Sequence, residues 1–214
     1  MVTLKAIETI YAGHRFRSRL EARWAVFYDA LGIPWNYEKE GYDLGPAGLY
    51  LPDFWLPEQK CWVEIKGDEP TPQESAKAEA LSNATEKSVF IFFGPIPYPD
   101  PDTDNLEFGE GAWGFIMSEA GIYWDNYLRW TRCLNCGALN VNFNGRADRL
   151  PCKTDFTEPP EDEFPPGEYA ANGINQGCPR SAPHGDKGYN YEDPLLLAAY
   201  EKARMARFEH GEQP

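Results

Sequence analysis

Several features are missing from this chain of 214 residues, and each absence closes off a class of protein. No apolar run approaches the roughly 20 residues of a membrane-spanning helix, so no membrane partner is expected. The N-terminal stretch MVTLKAIETIYAGHRFRSR holds no continuous hydrophobic segment of signal-peptide type, so a cytoplasmic setting is the expectation. Positive charge is scarce: 20 Lys and Arg stand against 34 Asp and Glu, a net charge of −14. That balance argues against a general nucleic-acid coat, because phosphate contacts require local Lys and Arg. Cysteine is sparse and odd in number, with Cys61, Cys133, Cys136, Cys152 and Cys178. In a reducing compartment the four downstream cysteines suit metal binding better than disulfides.

What is present suffices for a core. Hydrophobic residues make up 42% of the chain and aromatics 14%, and the length suits one sizeable domain or a domain with an appended module. The acid is unevenly spread. Much of it lies in Asp100 to Glu110 and Asp155 to Glu168, whereas His14, Arg15, Arg17, Arg19 and Arg23 form a basic cluster. The distribution leaves room for DNA binding that the total charge alone disfavours.

The chain is organised around Tyr50 to Gly67, YLPDFWLPEQKCWVEIKG. Phe54-Trp55-Leu56 and Cys61 to Lys66 read as two strands, rich in β-branched and aromatic residues, joined by a turn at Pro57 to Lys60. With a side-chain period of two, Glu64 and Lys66 share one face and Val63 and Ile65 the other. A tight connection brings Asp53 beside the polar face. Two neighbouring carboxylates repel unless a cation lies between them. Hard oxygen donors suit Mg²⁺ or Mn²⁺, and an adjacent lysine can orient or deprotonate a metal-acidified water. The constellation reads as metal-assisted phosphodiester hydrolysis.

Around this stretch the elements can be placed. Leu20, Trp24, Phe27, Tyr28 and Leu31 recur at helical spacing, with Ser18 as N-cap, Glu21 at the capping-box position and Gly32-Ile-Pro34 as the stop. Residues 1–13 form a strand or arm ahead of that helix. Ile33 to Glu38 predicts a strand with Trp35 and Tyr37 on one face; Glu38 is an ordinary strand-end acid or a minor metal ligand. Thr71-Pro72 opens a helix to about Thr85, and Val89 to Phe93 is a buried strand. Trp113 to Ile116 and Gly121 to Trp124 form a hairpin that either extends the sheet or belongs to the next module. Asp193-Pro194 opens a final helix, with Leu196, Tyr200, Ala203 and Arg207 along one face and Leu195, Leu197, Ala199 and Met205 adding apolar surface. That helix docks on the body or on a second copy in a homodimer.

Pro52-Asp53 and Glu64-Ile65-Lys66 resemble the PD and (D/E)XK elements of the PD-(D/E)XK nuclease superfamily, over roughly the first 95 residues. The resemblance implies a restriction-endonuclease-like α/β (α+β) fold with an αβββαβ core and a mixed sheet. It implies that Asp53 and Glu64 hold one or two Mg²⁺ or Mn²⁺ ions and that Lys66 assists the attacking water. It also gives Glu21 a catalytic role on the first helix facing the hairpin, in the order Glu21, Asp53, Glu64, Lys66 of the phage-type resolvases. The plainer role for Glu21 is the capping-box acid, and the two are compatible. Arg15, Arg17, Arg19 and Arg23 either grip DNA phosphates or form a solvated face. The QxxxY element of RecB-type exonucleases is absent after Gln73, which favours an endonuclease, and the arrangement suits a phage or mobile element.

Cys133-Leu-Asn-Cys136-Gly has zinc-knuckle spacing, with Cys152 and Cys178 completing a Cys₄ set for structural Zn²⁺ in a small zinc-ribbon-like module. His184 is an alternative fourth ligand, and scattered reduced cysteines are the plainer reading. Residues 1–95 are thus expected as the nuclease core and 96–131 as linker and hairpin extension. Residues 132–190 would form the zinc-binding module with its acidic loop, and 191–214 the C-terminal helix and tail. Two rivals remain: a silent nucleic-acid-binding or assembly subunit with the same fold, and an acidic protein that mimics DNA.

Overall fold

The computed structural model describes residues 7–97, 112–118, 121–132, 139–143 and 193–208. The sequence predicts a strand or arm over residues 1–13. Strand β1 (Thr9–Tyr11) and strand β2 (His14–Phe16) form a small antiparallel hairpin there, turning through Ala12 and Gly13 at positive φ. Helix α1 (Arg19–Leu31) follows, with the Ser18 hydroxyl accepting from the Glu21 N–H. It ends at Gly32, whose left-handed conformation (φ 66°) lets the Gly32 and Ile33 N–H groups satisfy Asp29 and Tyr28 carbonyls.

The strand expected over Ile33 to Glu38 shrinks to β3 (Asn36–Tyr37). Pro34 has no N–H to give a ladder, and Glu38 turns at φ 44°, so only two residues pair. A second small hairpin, β4 (Tyr42–Asp43) and β5 (Leu49–Tyr50), leads into β6 (Phe54–Leu56) and β7 (Cys61–Lys66). The β6–β7 pair is antiparallel with Phe54 opposite Val63, and Lys60 in the turn adopts φ 52°. Helix α2 (Pro72–Thr85) then crosses to β8 (Ser88–Phe93), which lies parallel to β7. Its N-terminus carries a full capping box, Thr71 with Glu74.

The later hairpin extends the main sheet. Strand β9 (Ala112–Ser118) pairs antiparallel with β8, β10 (Gly121–Arg132) with β9, and β11 (Leu139–Phe143) with β10. The result is one seven-stranded mixed sheet, in the order β11-β10-β9-β8-β7-β6-β3, and it continues past residue 132. Gly114 is required where β9 crosses the core: a Cβ there would lie 2.7 Å from Phe90 Cδ1 and closer still to Leu128 Cδ1.

Strand alternation divides the sheet into two apolar faces. Phe54, Cys61, Val63, Ile65, Phe90 and Phe92 face α1 and the last helix, α3 (Pro194–Met205). Trp62, Val89, Ile91 and Phe115 face α2 through Ala78 and Leu81. Helix α3 begins at Asp193, whose side chain caps Leu195 and pairs with Arg132 at 3.0 Å. It packs along α1, with Tyr200 stacked on Phe27 at 4.5 Å. This second partner explains why α1 buries Ala22, Ala25 and Val26 besides the expected Trp24, Phe27 and Tyr28. Each large apolar side chain so buried contributes about 1.5–3 kcal/mol.

Two differences from the sequence reading concern α3. The helix ends at Met205, so Arg207 lies beyond it, and Leu195 and Met205 project into solvent. Among the described residues Cys61 is buried and free. Cys133, Cys136, Cys152, Cys178 and His184 lie outside the described residues, as do both acidic stretches. Among the described residues no helix is long and apolar enough to cross a membrane.

Candidate carboxylate–lysine centre

The polar end of the β6–β7 hairpin gathers the chemistry. Phe54 lies opposite Val63, so continuing the register one residue places Asp53 across from Glu64. Both carboxylates are buried. Asp53 Oδ2 accepts the Ile65 N–H at 2.8 Å, and Oδ1 accepts Arg17 Nη2 at 2.7 Å. Its backbone is fixed from the other side, where the Asp53 carbonyl accepts the Glu38 N–H at 2.8 Å. Burial raises the Asp53 pKa well above its usual value, and the charges of Glu64 and Glu21 push the same way. The Ile65 N–H and Arg17 oppose this but do not reverse it.

Glu64 is asymmetric. Its Oε1 accepts Lys66 Nζ at 2.7 Å, while its Oε2 is buried and has no hydrogen-bond partner. The Tyr50 hydroxyl lies beside Glu64. Burial, then the charge of Glu64 and hydrogen bonding to it, raises the Tyr50 pKa and keeps it a phenol.

Lys66 Nζ bridges two acids, Glu64 Oε1 and, at 3.2 Å, Glu74 Oε1. Partial burial works against its charge, but Glu64 and Glu74 outweigh burial and raise its pKa above 10.5. Glu74 serves two ends at once. Its Oε2 accepts the Thr71 N–H and hydroxyl, each at 2.8 Å, and closes the cap of α2, while its Oε1 faces Lys66. Burial opposes the Glu74 charge, yet Thr71 and Lys66 together lower its pKa.

Glu21, one turn into α1, is also buried. Its Oε2 accepts the Arg17 N–H at 3.1 Å and the Tyr37 hydroxyl at 2.6 Å, and its Oε1 accepts the Ser18 hydroxyl at 2.7 Å. Its carboxylate thus takes the N–H before the N-cap and the N-cap hydroxyl rather than the Ser18 N–H of a capping box, and Glu21 acts on Asp53 through its charge. Among the described residues no three His, Cys, Asp or Glu side chains converge in metal-holding geometry. Asp53 and Glu64 stand as the neighbouring pair, with Glu21 behind Asp53.

The basic cluster splits. Arg15 pairs with Glu8 in solvent, whereas Arg17 reaches Asp53 directly and also holds Glu38 Oε1 at 2.9 Å. Arg19 opens α1, and Arg23 carries a buried Nε without a hydrogen-bond partner. Sequence reasoning brought Asp53, Glu64 and Lys66 together correctly but did not find Arg17 on Asp53, Tyr37 on Glu21, or Glu74 on Lys66. For Glu74 a signal existed: a capping acid a short loop beyond Lys66. Arg17 lies 36 residues from Asp53, and no local pattern announces that contact.

The residues fit a hard divalent cation. Two carboxylates supply oxygen donors, one of those oxygens is orphaned, and Asp53 is disfavoured as a lone anion. No family model, no curated protein and no solved structure matches the chain.

Proposed function

We propose that the chain is a metal-dependent DNA endonuclease of the PD-(D/E)XK kind, hydrolysing phosphodiester bonds at Asp53, Glu64 and Lys66. The observation that carries this reading is the buried Asp53–Glu64 pair, with Glu64 Oε2 unpartnered and Lys66 on Oε1. An orphaned buried oxygen is costly and calls for a partner. Asp53 and Glu64 would hold Mg²⁺ or Mn²⁺, with Glu21 as the acid behind them. When bound, such an ion acidifies water and offsets charge on the phosphate.

The side chains do the rest. Lys66, held charged by two acids, enters as a donor that orients water or a non-bridging phosphate oxygen, not as the base. Tyr50 adds a second donor beside Glu64. Arg17 and its neighbours on α1 would contact the DNA backbone. The order helix α1, strand β3, hairpin β6–β7, helix α2 and strand β8 supports a restriction-endonuclease-like core. The four downstream cysteines would form a closed structural Zn²⁺ site, to be checked as one zinc per chain by elemental analysis.

A second reading, a silent nucleic-acid-binding subunit, is favoured by one observation: Arg17 and Lys66 already offset part of the charge on Asp53 and Glu64. Cleavage of supercoiled plasmid, single strands and a four-way junction decides between them, with Mg²⁺, Mn²⁺ or EDTA. Metal-dependent cutting lost in Glu64→Ala and Lys66→Ala supports the nuclease. Cutting that survives both substitutions sinks the site, and DNA binding in Ca²⁺ together with no cutting in Mg²⁺ or Mn²⁺ supports the silent subunit.

A further inference from the structure

Arg17 sits where an incoming cation would have to go. Of the two Asp53 oxygens, Oδ2 is committed to the Ile65 N–H on the hairpin itself. Oδ1 is the remaining one, and Arg17 Nη2 occupies it at 2.7 Å. The two partners differ sharply in exposure: the Asp53 side chain is 3% exposed and that of Arg17 56%. The guanidinium therefore lies over the buried carboxylate from the solvent side. Its Nε, meanwhile, is held by Glu38 Oε1 at 2.9 Å, and Glu38 is anchored next to Asp53 through its own N–H. One fork thus grips two acids, one buried and one near solvent.

This arrangement has two separable halves. Releasing Nη2 from Asp53 uncovers Oδ1 without breaking the Nε–Glu38 pair. It also frees one edge of a planar guanidinium whose geometry matches a phosphate's oxygens. We infer that Arg17 is an exchangeable counter-ion of Asp53: it covers Oδ1 until a divalent cation displaces it, and the released edge then takes a DNA phosphate. This inference rests on the reading of Asp53 and Glu64 as a metal pair and adds to it a competition and a coupling. Anything that draws Arg17 away, such as a phosphodiester, strengthens metal binding, and metal strengthens phosphate binding by the same factor.

The test measures Mn²⁺ affinity by titration calorimetry or electron paramagnetic resonance on the full chain. It compares wild type, Arg17→Met, Arg17→Gln and Asp53→Asn, with and without a short phosphorothioate duplex that resists cutting. Without DNA, both Arg17 variants are expected to bind Mn²⁺ about tenfold more tightly than wild type, within the usual range of coupling between sites. The duplex should tighten Mn²⁺ binding more in wild type than in either variant. Unchanged or weaker Mn²⁺ affinity in both variants, with Asp53→Asn still losing the ion, overturns the inference alone and leaves Arg17 as a structural tie. Equal Mn²⁺ binding by wild type and Asp53→Asn overturns the metal pair and the inference together. Should either variant fail to fold, the duplex effect in wild type decides: its absence refutes the coupling.

Discussion

Asp53 carries an electrostatic liability that stability should report. Its folded-state pKa lies above the ordinary 3.8, because of burial first and then Glu64 and Glu21. Between the ordinary value and the raised one the folded chain binds more protons than the unfolded chain, so this group's contribution is full below about 3.8 and drains away as pH rises. In chelated buffer, Asp53→Asn should therefore gain stability relative to wild type as pH climbs from the acid side, read as a growing gap in urea midpoints. A gap that shrinks with pH would contradict the raised pKa. Lys66 gives the complementary prediction. With its pKa pushed above 10.5, the kcat/KM of the proposed hydrolysis should show no rising limb from a lysine below that pH, and Lys66→Ala should lower its rate. At this scale the sequence was readable where chemistry follows strand alternation. Asp53, Glu64 and Lys66 lie on one hairpin, and a period of two places them. Arg17, Tyr37 and Tyr50 reach the same spot through the fold, and nothing in their own neighbourhoods marks them.

At the scale of elements, caps and close approaches decide more than periodicity does. The α2 cap and the Lys66 restraint share Glu74 and can be separated. Glu74→Gln retains a capping-box residue and should leave stability nearly unchanged while slowing the proposed cleavage, whereas Thr71→Ala should cost about 1 kcal/mol of stability and spare Lys66. Equal effects of the two on both readouts would deny the division. Gly114→Ala is expected to destabilise by about 1–3 kcal/mol in denaturant melts, since its methyl group would press into Phe90 and Leu128 inside the core. The helices were legible from their caps, because Ser18, Gly32, Thr71 and Asp193 each act locally. The strand at Asn36–Tyr37 was overestimated, because its length is set by Pro34, by the turn at Glu38 and by pairing with β6, and the last of these is not local.

At the scale of the whole molecule, helices α1 and α3 are packed together. Tyr200 stacks on Phe27 and approaches Trp24 at 6.4 Å, while Phe27 and Tyr28 reach Trp130 on β10. Tyr200→Ala should remove about 3–5 kcal/mol, seen as a lower melting temperature, while leaving the rate per folded molecule at low temperature near wild type. A normal melting temperature would show that α3 is dispensable. That the later hairpin joins the main sheet was undecidable from sequence, because strand partners are chosen by the neighbours' free edges, here that of β8.

The α1–α3 contact has a consequence for the chain as it is made. Helix α1 leaves the ribosome well before α3, and the face that Tyr200 covers must wait until residue 200 has been made. At about 5–20 residues per second, the 173 positions between Phe27 and Tyr200 correspond to roughly 9–35 s. For that interval Trp24 and Phe27 remain uncovered by their final partner, a patch that chaperones can hold. The centre at Asp53 and Glu64 rests on a scaffold whose brace, α3, is made long after α1, which delays maturation of the site until that helix has emerged.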